Sequence, residues 1–335
     1  MRRASLSARS EVLARRSALA AAGTVRRRRK PGVVGLGVAW VAALVCFVVL
    51  LGSSAYQVTV LGTAFALAIA SLGVGLELRA LSQLSLGQGA FIALGGYTEL
   101  ILGSEHGWGF VPSMVVAVLI AIAVGALLGL AGSRLRTHYF ILLTAAIQVL
   151  ASACITGLTS LTGGAEGRSL PGSIDLWVGS ISSIRGTAIL TGVVAVIAAV
   201  AVDVLIRRPA GHRMIAVSRA APAARASGIS PVRQNVYGGC ILGGLGALSG
   251  VLYAPLIGYL GPDEFALSLS IICVLVGVVS TRLSFAMAIV AAVVLEELTQ
   301  GIASSGDWAG AIYGAIIVVV GAGMAAGQLA RNRRS

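Results

Sequence analysis

The chain has 335 residues, of which 57% are hydrophobic and only 11% are charged, and its mean hydropathy is +0.94. Because soluble proteins carry charges on about a quarter of their residues, this composition excludes a mainly soluble protein. The net charge of +13 does not indicate nucleic-acid binding, since aromatic residues, which stack on bases, make up only 5% of the chain. The basic residues lie between apolar segments and at the ends, where they set membrane topology.

Residues 1–31 carry ten basic residues and one acidic residue. We expect them to form a disordered, basic cytoplasmic tail that contacts anionic lipid. A secretory or twin-arginine signal is the alternative interpretation. A transmembrane domain is predicted over 32–328, followed by a second basic cytoplasmic tail at 329–335.

Ten apolar segments follow the first tail, and most are close to the roughly 20 residues that a membrane-spanning helix needs. The sequence therefore predicts an all-α polytopic membrane protein with about ten transmembrane helices and both termini in the cytoplasm. An even number of spans is favoured, although Glu296 and Glu297 interrupt the ninth. The segments lie near 32–52, 58–76, 84–103, 111–132, 139–160, 187–206, 235–257, 266–281, 285–302 and 309–328.

The distribution of basic residues supports this topology. Only Arg168 and Arg185 fall in the predicted outer connections, so 25 − 2 = 23 of the basic residues lie on the cytoplasmic side, as the positive-inside rule requires.

Two connections are longer than a turn. The outer one, about 161–186, begins with LTGGAEGRSLPG, whose glycine and proline content excludes a regular helix. The inner one, about 207–234, contains a stretch rich in alanine and arginine from Gly211 to Ser227. We expect one or two short helices there, on the cytoplasmic face.

No catalytic motif is visible: the chain has no phosphate-binding loop, no HExxH and no GxSxG. The four cysteines lie in apolar segments without a CxxC pair, so neither a metal nor a cofactor is expected on this chain. Carboxylates within membrane segments are functional candidates by default. We interpret Glu77, Glu296 and Glu297 as charges at helix ends, whereas Glu99 lies inside a predicted span.

The segment QLSLGQGAFIALGGYTEL, residues 83–100, is unusually polar and small for a membrane span. On a helix from Leu84 to Gly103 its small and polar residues share one face. That face is either a packing surface or a wall of a solute path, and a re-entrant turn broken at Gly87–Gly89 is an alternative to the continuous helix. The candidate path residues are Ser85, Gln88, Gly89, Gly96 and Glu99.

Several segments resemble the M-type (LivM-like) permease subunit of bacterial ABC importers for branched-chain amino acids. They are SLGVGLELRALSQLSLGQGAFIALGGYT (71–98), RTHYFILLTAAIQVL (136–150), LTGGAEG (161–167) and the stretch 223–271 that begins AARASGISPVRQ. The resemblance implies a multi-pass protein of the bacterial inner membrane. It also implies a second, homologous permease subunit, two ATPase subunits that bind the ATP, and an extracytoplasmic solute-binding protein.

The resemblance also gives the inner connection a role as a coupling loop that docks on the ATPase. The docking segment would run from about Ala216 to Ile229. Where the family usually has a glutamate before paired alanines, this chain has Ala221 and Pro222, and its arginines would meet acidic groups instead. The candidate coupling residues are Arg219, Ala223, Ala224, Arg225 and Gly228.

Other departures from the family leave the solute open. The turn after the eighth span reads GVVSTRLS (277–284) instead of a glycine-rich sequence, and Glu77 and Glu99 replace an asparagine and a small residue. Urea, short amides and other amino acids are alternatives to leucine, isoleucine and valine. A different class of protein also fits: a proton- or ion-coupled secondary transporter that uses Glu99. A channel is a third interpretation.

Overall fold

The computed structural model describes residues 54–303, apart from 171–173, 177–178, 182 and 283–284. Both basic tails and the predicted spans at 32–52 and 309–328 lie outside the described residues. The long helices are α1 (Ala55–Ala80), α2 (Gln88–Thr98, continued by a π-helical segment, Glu99–Glu105), α3 (Phe110–Gly132), α4 (Thr137–Gly157), α6 (Ile184–Arg207), α9 (Pro231–Ile257), α10 (Leu267–Arg282) and α11 (Met287–Ala303).

Shorter elements form the connections. They are α5 (Thr159–Thr162), a 3₁₀ turn (Gly164–Glu166), β1 (Arg168–Ser169), β2 (Ile174–Leu176), β3 (Gly179–Ile181), α7 (Pro209–Arg219), α8 (Ala221–Ala226), β4 (Tyr259–Leu260) and a 3₁₀ turn (Pro262–Phe265).

Within the described ranges, six helical stretches are long and apolar enough to cross a membrane. The fold is therefore that of an all-α polytopic membrane protein, as predicted. The total of ten spans and the cytoplasmic placement of the termini stay predictions. The six stretches are Ala55–Ala80, Phe110–Gly132, Thr137–Gly157, Ile184–Arg207, Pro231–Ile257 and Pro262–Thr281.

The predicted ninth span, 285–302, corresponds to α11. This helix runs through Glu296 and Glu297 without a break. Glu296 is buried and Glu297 is exposed, so the two acids lie on different sides of the helix and do not interrupt it.

Helices α1 and α9 form an antiparallel pair at the centre of the bundle. Near the middle of α1 the Ser249 hydroxyl donates to the carbonyl of Ala66 at 2.6 Å, and near its end Leu81 packs on Gly238. Almost every residue of α1 from Val58 to Glu77 is buried, because α6, α9, α10 and α11 surround it.

Glycines allow the backbone of α9 to come into direct contact with the backbones of α3 and α2. Gly239 and Gly125 face each other so closely that a side chain on either would collide with the other's carbonyl group. Gly250 lies against the backbone of Ile92 in the same way. Helix association in membranes favours such contacts, because lipid removes most of the hydrophobic drive between helices and leaves close packing to supply the attraction.

The outer connections form a small folded unit. The predicted absence of a long helix after LTGG is confirmed for the described residues, where Gly163 and Gly167 adopt positive φ angles of 81° and 61° and β1 pairs antiparallel with β4. Arg168 forms an ion pair with Glu105. This unit therefore joins the end of the π-helical segment to the connections after α5 and α9.

The inner connection contains two short helices, α7 and α8, as predicted. Gly211, Met214 and Val217 form the buried side of α7, which packs against α1, α6 and α9. The opposite side of α7 and most of α8 are exposed.

Candidate functional site

The second long helix, α2, begins later than the sequence predicts. Residues 82–87 are not helical, and α2 begins at Gln88. The predicted helix start at Leu84 is therefore four residues too early, and the re-entrant turn at Gly87–Gly89 stays a prediction. Ser82 makes the turn after α1 with a φ of +57°.

The break lies deep in the bundle. The Gln88 side-chain nitrogen donates to the carbonyl of Ala70 at 3.1 Å and to that of Leu242 at 3.4 Å. Ala70 precedes the end of α1 at Ala80 by 80 − 70 = 10 residues, which is about 15 Å of helix and about half of a typical hydrocarbon core. Non-helical backbone is tolerated at that depth only where protein buries it or where it lines a cavity.

Side chains from other helices cap the start of α2. The first N–H groups of any helix lack partners within that helix, and in a membrane water cannot replace them. We call Thr144, Gln148 and Ser270 the α2 cap. The N–H of Leu86 donates to Thr144 Oγ1 at 3.0 Å, that of Gly89 to Ser270 Oγ at 2.8 Å and that of Ala90 to Gln148 Oε1 at 2.6 Å.

Gln148 is the centre of this cap. Its side chain is buried, with 1% exposure, and its oxygen also accepts from the hydroxyl of Ser270 at 3.1 Å. Its nitrogen donates to the carbonyl of Phe265 at 2.5 Å. One side chain of α4 therefore links α2, α10 and the turn before α10.

A cleft of ≈ 550 Å³ lies beside the α2 cap. Gln148 lines it together with polar side chains nearer the predicted outer side, Ser152, Thr156 and Asp263, while Val149 and Leu267 give it apolar surface. The cleft lies between α4 and the start of α10. A small amphipathic molecule would find both hydrogen-bonding and apolar surface there.

Glu99 lies at the other end of α2, 99 − 88 = 11 residues from Gln88, or about 16 Å along the helix. It begins the π-helical segment, is buried, and accepts a hydrogen bond from the hydroxyl of Ser113 on α3. Its carboxylate lies against Gly103, where a side chain would collide with it. Single π-helical turns are frequent at functional sites.

The structure separates the predicted path residues into two groups. Ser85, Gln88 and Gly89 lie around the start of α2, level with the middle of α1, whereas Gly96 and Glu99 lie near the other end of the helix. All five are buried. Much of the small-residue face packs on α9 or on the α2 cap. In this conformation other helices therefore cover that face.

Sequence reasoning missed Thr144, Gln148 and Ser270. A signal was present, since Gln148 is an amide within the apolar stretch ILLTAAIQVL, and buried polar groups need hydrogen-bond partners. Sequence reasoning could not identify those partners, because they lie in α2 and in the turn before α10.

Glu77 lies in the last turn of α1, as expected of a charge at a helix end, but its side chain is buried. It is 1% exposed, and neither carboxylate oxygen forms a hydrogen bond with any residue that the structure describes. The side-chain oxygens of Gln83 and Gln88 are likewise without partners in the described ranges. Arg79, two residues beyond Glu77, lies over the ring of Phe285 at 5.4 Å.

The predicted coupling residues lie together around α8. Arg219, Ala223, Arg225 and Gly228 are exposed, and Ala224 is buried against the bundle. Gly228 has a φ of +77°, and the next N–H, of Ile229, donates to the carbonyl of Ala224 at 2.9 Å, which closes α8. Within the described ranges no group of three or more His, Cys, Asp or Glu side chains could hold a metal ion.

A family model described as the branched-chain amino acid transport system permease component matches residues 56–321. The high-affinity branched-chain amino acid transport system permease protein LivM of Salmonella typhimurium is 26% identical over 258 residues, and LivM of Escherichia coli is 27% identical over 258 residues. Each alignment covers 69% of this chain and 61% of the relative, so the chain spans about three fifths of the curated relatives that it matches. No solved structure matches the chain significantly.

Proposed function

Because the chain belongs to the family of branched-chain amino acid transport system permeases, we propose that it is the membrane-spanning permease subunit of an ABC importer. Its solute is a branched-chain or related amino acid, moved across the bacterial inner membrane. The observation that carries the proposal is the family match over residues 56–321. In this proposal the chain catalyses no reaction, and separate ATPase subunits bind and hydrolyse the ATP.

The proposal includes four kinds of partner: a second permease subunit, two ATPase subunits, an extracytoplasmic solute-binding protein and the lipid bilayer. Helices α7 and α8 are the proposed coupling segment. Since α7 packs directly on α1, α6 and α9, an ATPase that binds α7 and α8 more tightly in one state of the bundle shifts the bundle toward that state.

We place the solute path beside the mid-membrane start of α2. The non-helical residues 82–87 and the α2 cap supply polar groups at the depth where transporters with broken helices bind their solutes. The cleft of ≈ 550 Å³ beside Gln148 is the proposed outer entrance. Ser85, Gln88 and Gly89 are the sequence-predicted candidates that this path retains, and Glu99 and Gly96 lie above it.

Reconstitution tests the proposal. The full chain is co-expressed with its candidate partners, purified and placed in liposomes, and uptake of radiolabelled leucine is measured. We expect uptake to require three components: the ATPase subunits, ATP on the side of the membrane where those subunits are bound, and the binding protein. Uptake by the chain alone, driven by a proton gradient and lost in Glu99→Gln, would instead establish the secondary transporter.

Solute identity is tested separately on the binding protein. Calorimetric titration with leucine, isoleucine, valine, urea and a short amide should show the tightest binding for a branched-chain amino acid. Tighter binding of urea or an amide would be compatible with an ABC importer but would change the proposed solute.

A further inference from the structure

Asp263 gives the cleft beside the α2 cap its charge. Of the described residues that line the cleft, only Asp263 is charged. It is exposed and forms no ion pair or side-chain hydrogen bond with any residue that the structure describes. Arg168, in the outer connection that borders the cleft, pairs with Glu105 instead. The carboxylate of Asp263 is therefore available to a molecule that enters the cleft.

The helix that follows Asp263 explains only part of its position. Asp263 lies in the 3₁₀ turn Pro262–Phe265, just before α10 begins at Leu267, and a negative charge near a helix N-terminus is favourable. An acid that caps a helix also accepts a hydrogen bond from one of the first N–H groups. Among the described residues the carbonyl of Asp263 accepts from the N–H of Ala266 at 3.2 Å, whereas its carboxylate caps no N–H group. Helix capping thus leaves the carboxylate unused.

The other polar side chains of the cleft mainly offer hydrogen-bond acceptors. The hydroxyls of Ser152 and Thr156 donate to carbonyls of α4, at 3.3 Å and 3.0 Å, so their oxygens keep lone pairs for an incoming donor. The oxygen of Gln148 is already occupied, since it accepts from Ala90 and from Ser270. The cleft therefore suits a ligand that donates hydrogen bonds.

The α2 cap holds Asp263 in place at this cleft. The nitrogen of Gln148 donates to the carbonyl of Phe265, two residues beyond Asp263. A side chain of α4 therefore fixes the turn that carries the carboxylate next to the hydroxyls of the same helix. The position of the charge is set before a ligand arrives.

Apolar surface adjoins the carboxylate. Val149, Pro262 and Leu267 line the cleft, and its volume of ≈ 550 Å³ lies within the range of pockets that bind small molecules. A ligand with a positively charged amine and a short aliphatic chain matches both surfaces. A branched-chain amino acid has both groups, whereas urea and short amides lack the positive charge.

We propose that Asp263 binds the ammonium group of the solute and thereby selects amino acids over neutral solutes. The inference rests on the proposed function for the role of the chain as a permease, and it adds a residue that determines specificity. An ammonium group leaves water at a low cost only where the protein supplies the opposite charge. Hydrogen bonds between charged groups are about twice as strong as those between neutral groups, so a neutral solute gains less from Asp263.

Ligands that differ from leucine by one group test the proposal. The full chain is placed in nanodiscs, and saturation-transfer difference NMR measures the dissociation constants of leucine, isoamylamine, which lacks the carboxylate, and isocaproate, which lacks the amine. The native chain should bind leucine and isoamylamine, and it should bind isocaproate about tenfold more weakly or worse, since a hydrogen bond to a charged group is lost.

Asp263→Asn should weaken the binding of leucine and isoamylamine about tenfold or more without weakening that of isocaproate. Asp263→Glu keeps the charge and should keep the preference for the two amines. Glu264→Gln is the matched control, because Glu264 is the adjacent exposed acid and is not among the residues that line the cleft. This control should bind all three ligands as the native chain does.

Equal leucine binding by the native chain and Asp263→Asn overturns the proposal. So does a native chain that binds isocaproate as tightly as isoamylamine, or that binds none of the three ligands. Failure of the proposed function has a different signature, namely leucine uptake by the reconstituted chain without ATPase subunits. ATP-dependent leucine uptake that is unchanged in Asp263→Asn would support the importer and overturn the role of Asp263.

Discussion

The side-chain oxygen of Gln148 lies 2.6 Å from the backbone nitrogen of Ala90, so a residue of α4 caps the start of α2. The same side chain donates to Phe265, at the turn before α10. Helix α4 otherwise presents a largely apolar, exposed face, on which Leu142, Val149 and Leu150 are 60% to 66% exposed. The α2 cap is therefore a polar link between a peripheral helix and the centre of the bundle, beside the proposed solute path.

Gln148→Leu should lower stability and transport together. Leucine leaves the N–H of Ala90 and the carbonyl of Phe265 unpaired in a buried place, at a cost of about 1–3 kcal/mol for each group. Thermal unfolding in detergent and leucine uptake in liposomes measure the two effects.

Two variants sharpen that test. Ser270→Ala leaves only the N–H of Gly89 unpaired, so its stability should lie between those of the native chain and Gln148→Leu. Ser152→Ala, one turn away, removes only a hydroxyl bonded within its own helix and should leave the melting temperature near the native value. If Gln148→Leu is as stable as the native chain, the α2 cap makes no significant contribution to stability.

Gly250→Ala should destabilise the bundle, because the added methyl group collides with the backbone of Ile92. Backbone cannot move aside as a flexible side chain can, and overpacking typically costs about 1–3 kcal/mol. Gly157→Ala is the control, since nothing lies within 4 Å of a side chain at that helical position. Equal melting temperatures for the two variants would contradict the close α2–α9 contact.

Glu99 and Gly103 should show strong energetic coupling. Gly103→Ala alone forces the new methyl group against the Glu99 carboxylate, which Ser113 holds in place. In a Glu99→Ala background the three atoms nearest to the new methyl group are absent, so the same change should cost less. A double-mutant cycle of unfolding free energies should give an interaction energy of about 0.5–3 kcal/mol, and additive effects would show that the carboxylate moves away freely.

Glu77→Met should raise the melting temperature. Burial of a polar group without a hydrogen bond costs about 1–3 kcal/mol in proteins, and methionine has a similar length without that cost. Glu297→Met changes an exposed acid on α11 and serves as the control for the loss of charge. A lower melting temperature for Glu77→Met would mean that Glu77 has a partner beyond the described residues, and higher stability with lost uptake would assign it a role in transport.

Much of the fold could be predicted from the sequence. Apolar length located the long helices of the described residues within about five residues, and alanine and arginine between prolines located α7 and α8. The glycines of LTGG predicted the irregular outer connection. These features depend on neighbours in the chain, so local sequence carries the information.

The start of α2 could not be predicted in the same way. The segment from Leu84 to Gly103 has the length and the helical face of a continuous span, yet the helix begins at Gln88. Its cap comes from Gln148, 58 residues away, and Ser270, 181 residues away. Only the packing of α4 and α10 around α2 brings those side chains to the free N–H groups.

The apolar segments of the sequence identified a polytopic membrane protein, its arginines predicted that the basic residues gather on one side, and its motifs resemble those of the branched-chain amino acid permeases. Hydrocarbon thickness and charge asymmetry act on each segment separately, so no tertiary contact was needed. The packing of the helices decides where α2 begins, that Gln148 caps it, that Glu77 is buried and which arginines are exposed. Each of these depends on hydrogen bonds or packing between residues far apart in the chain.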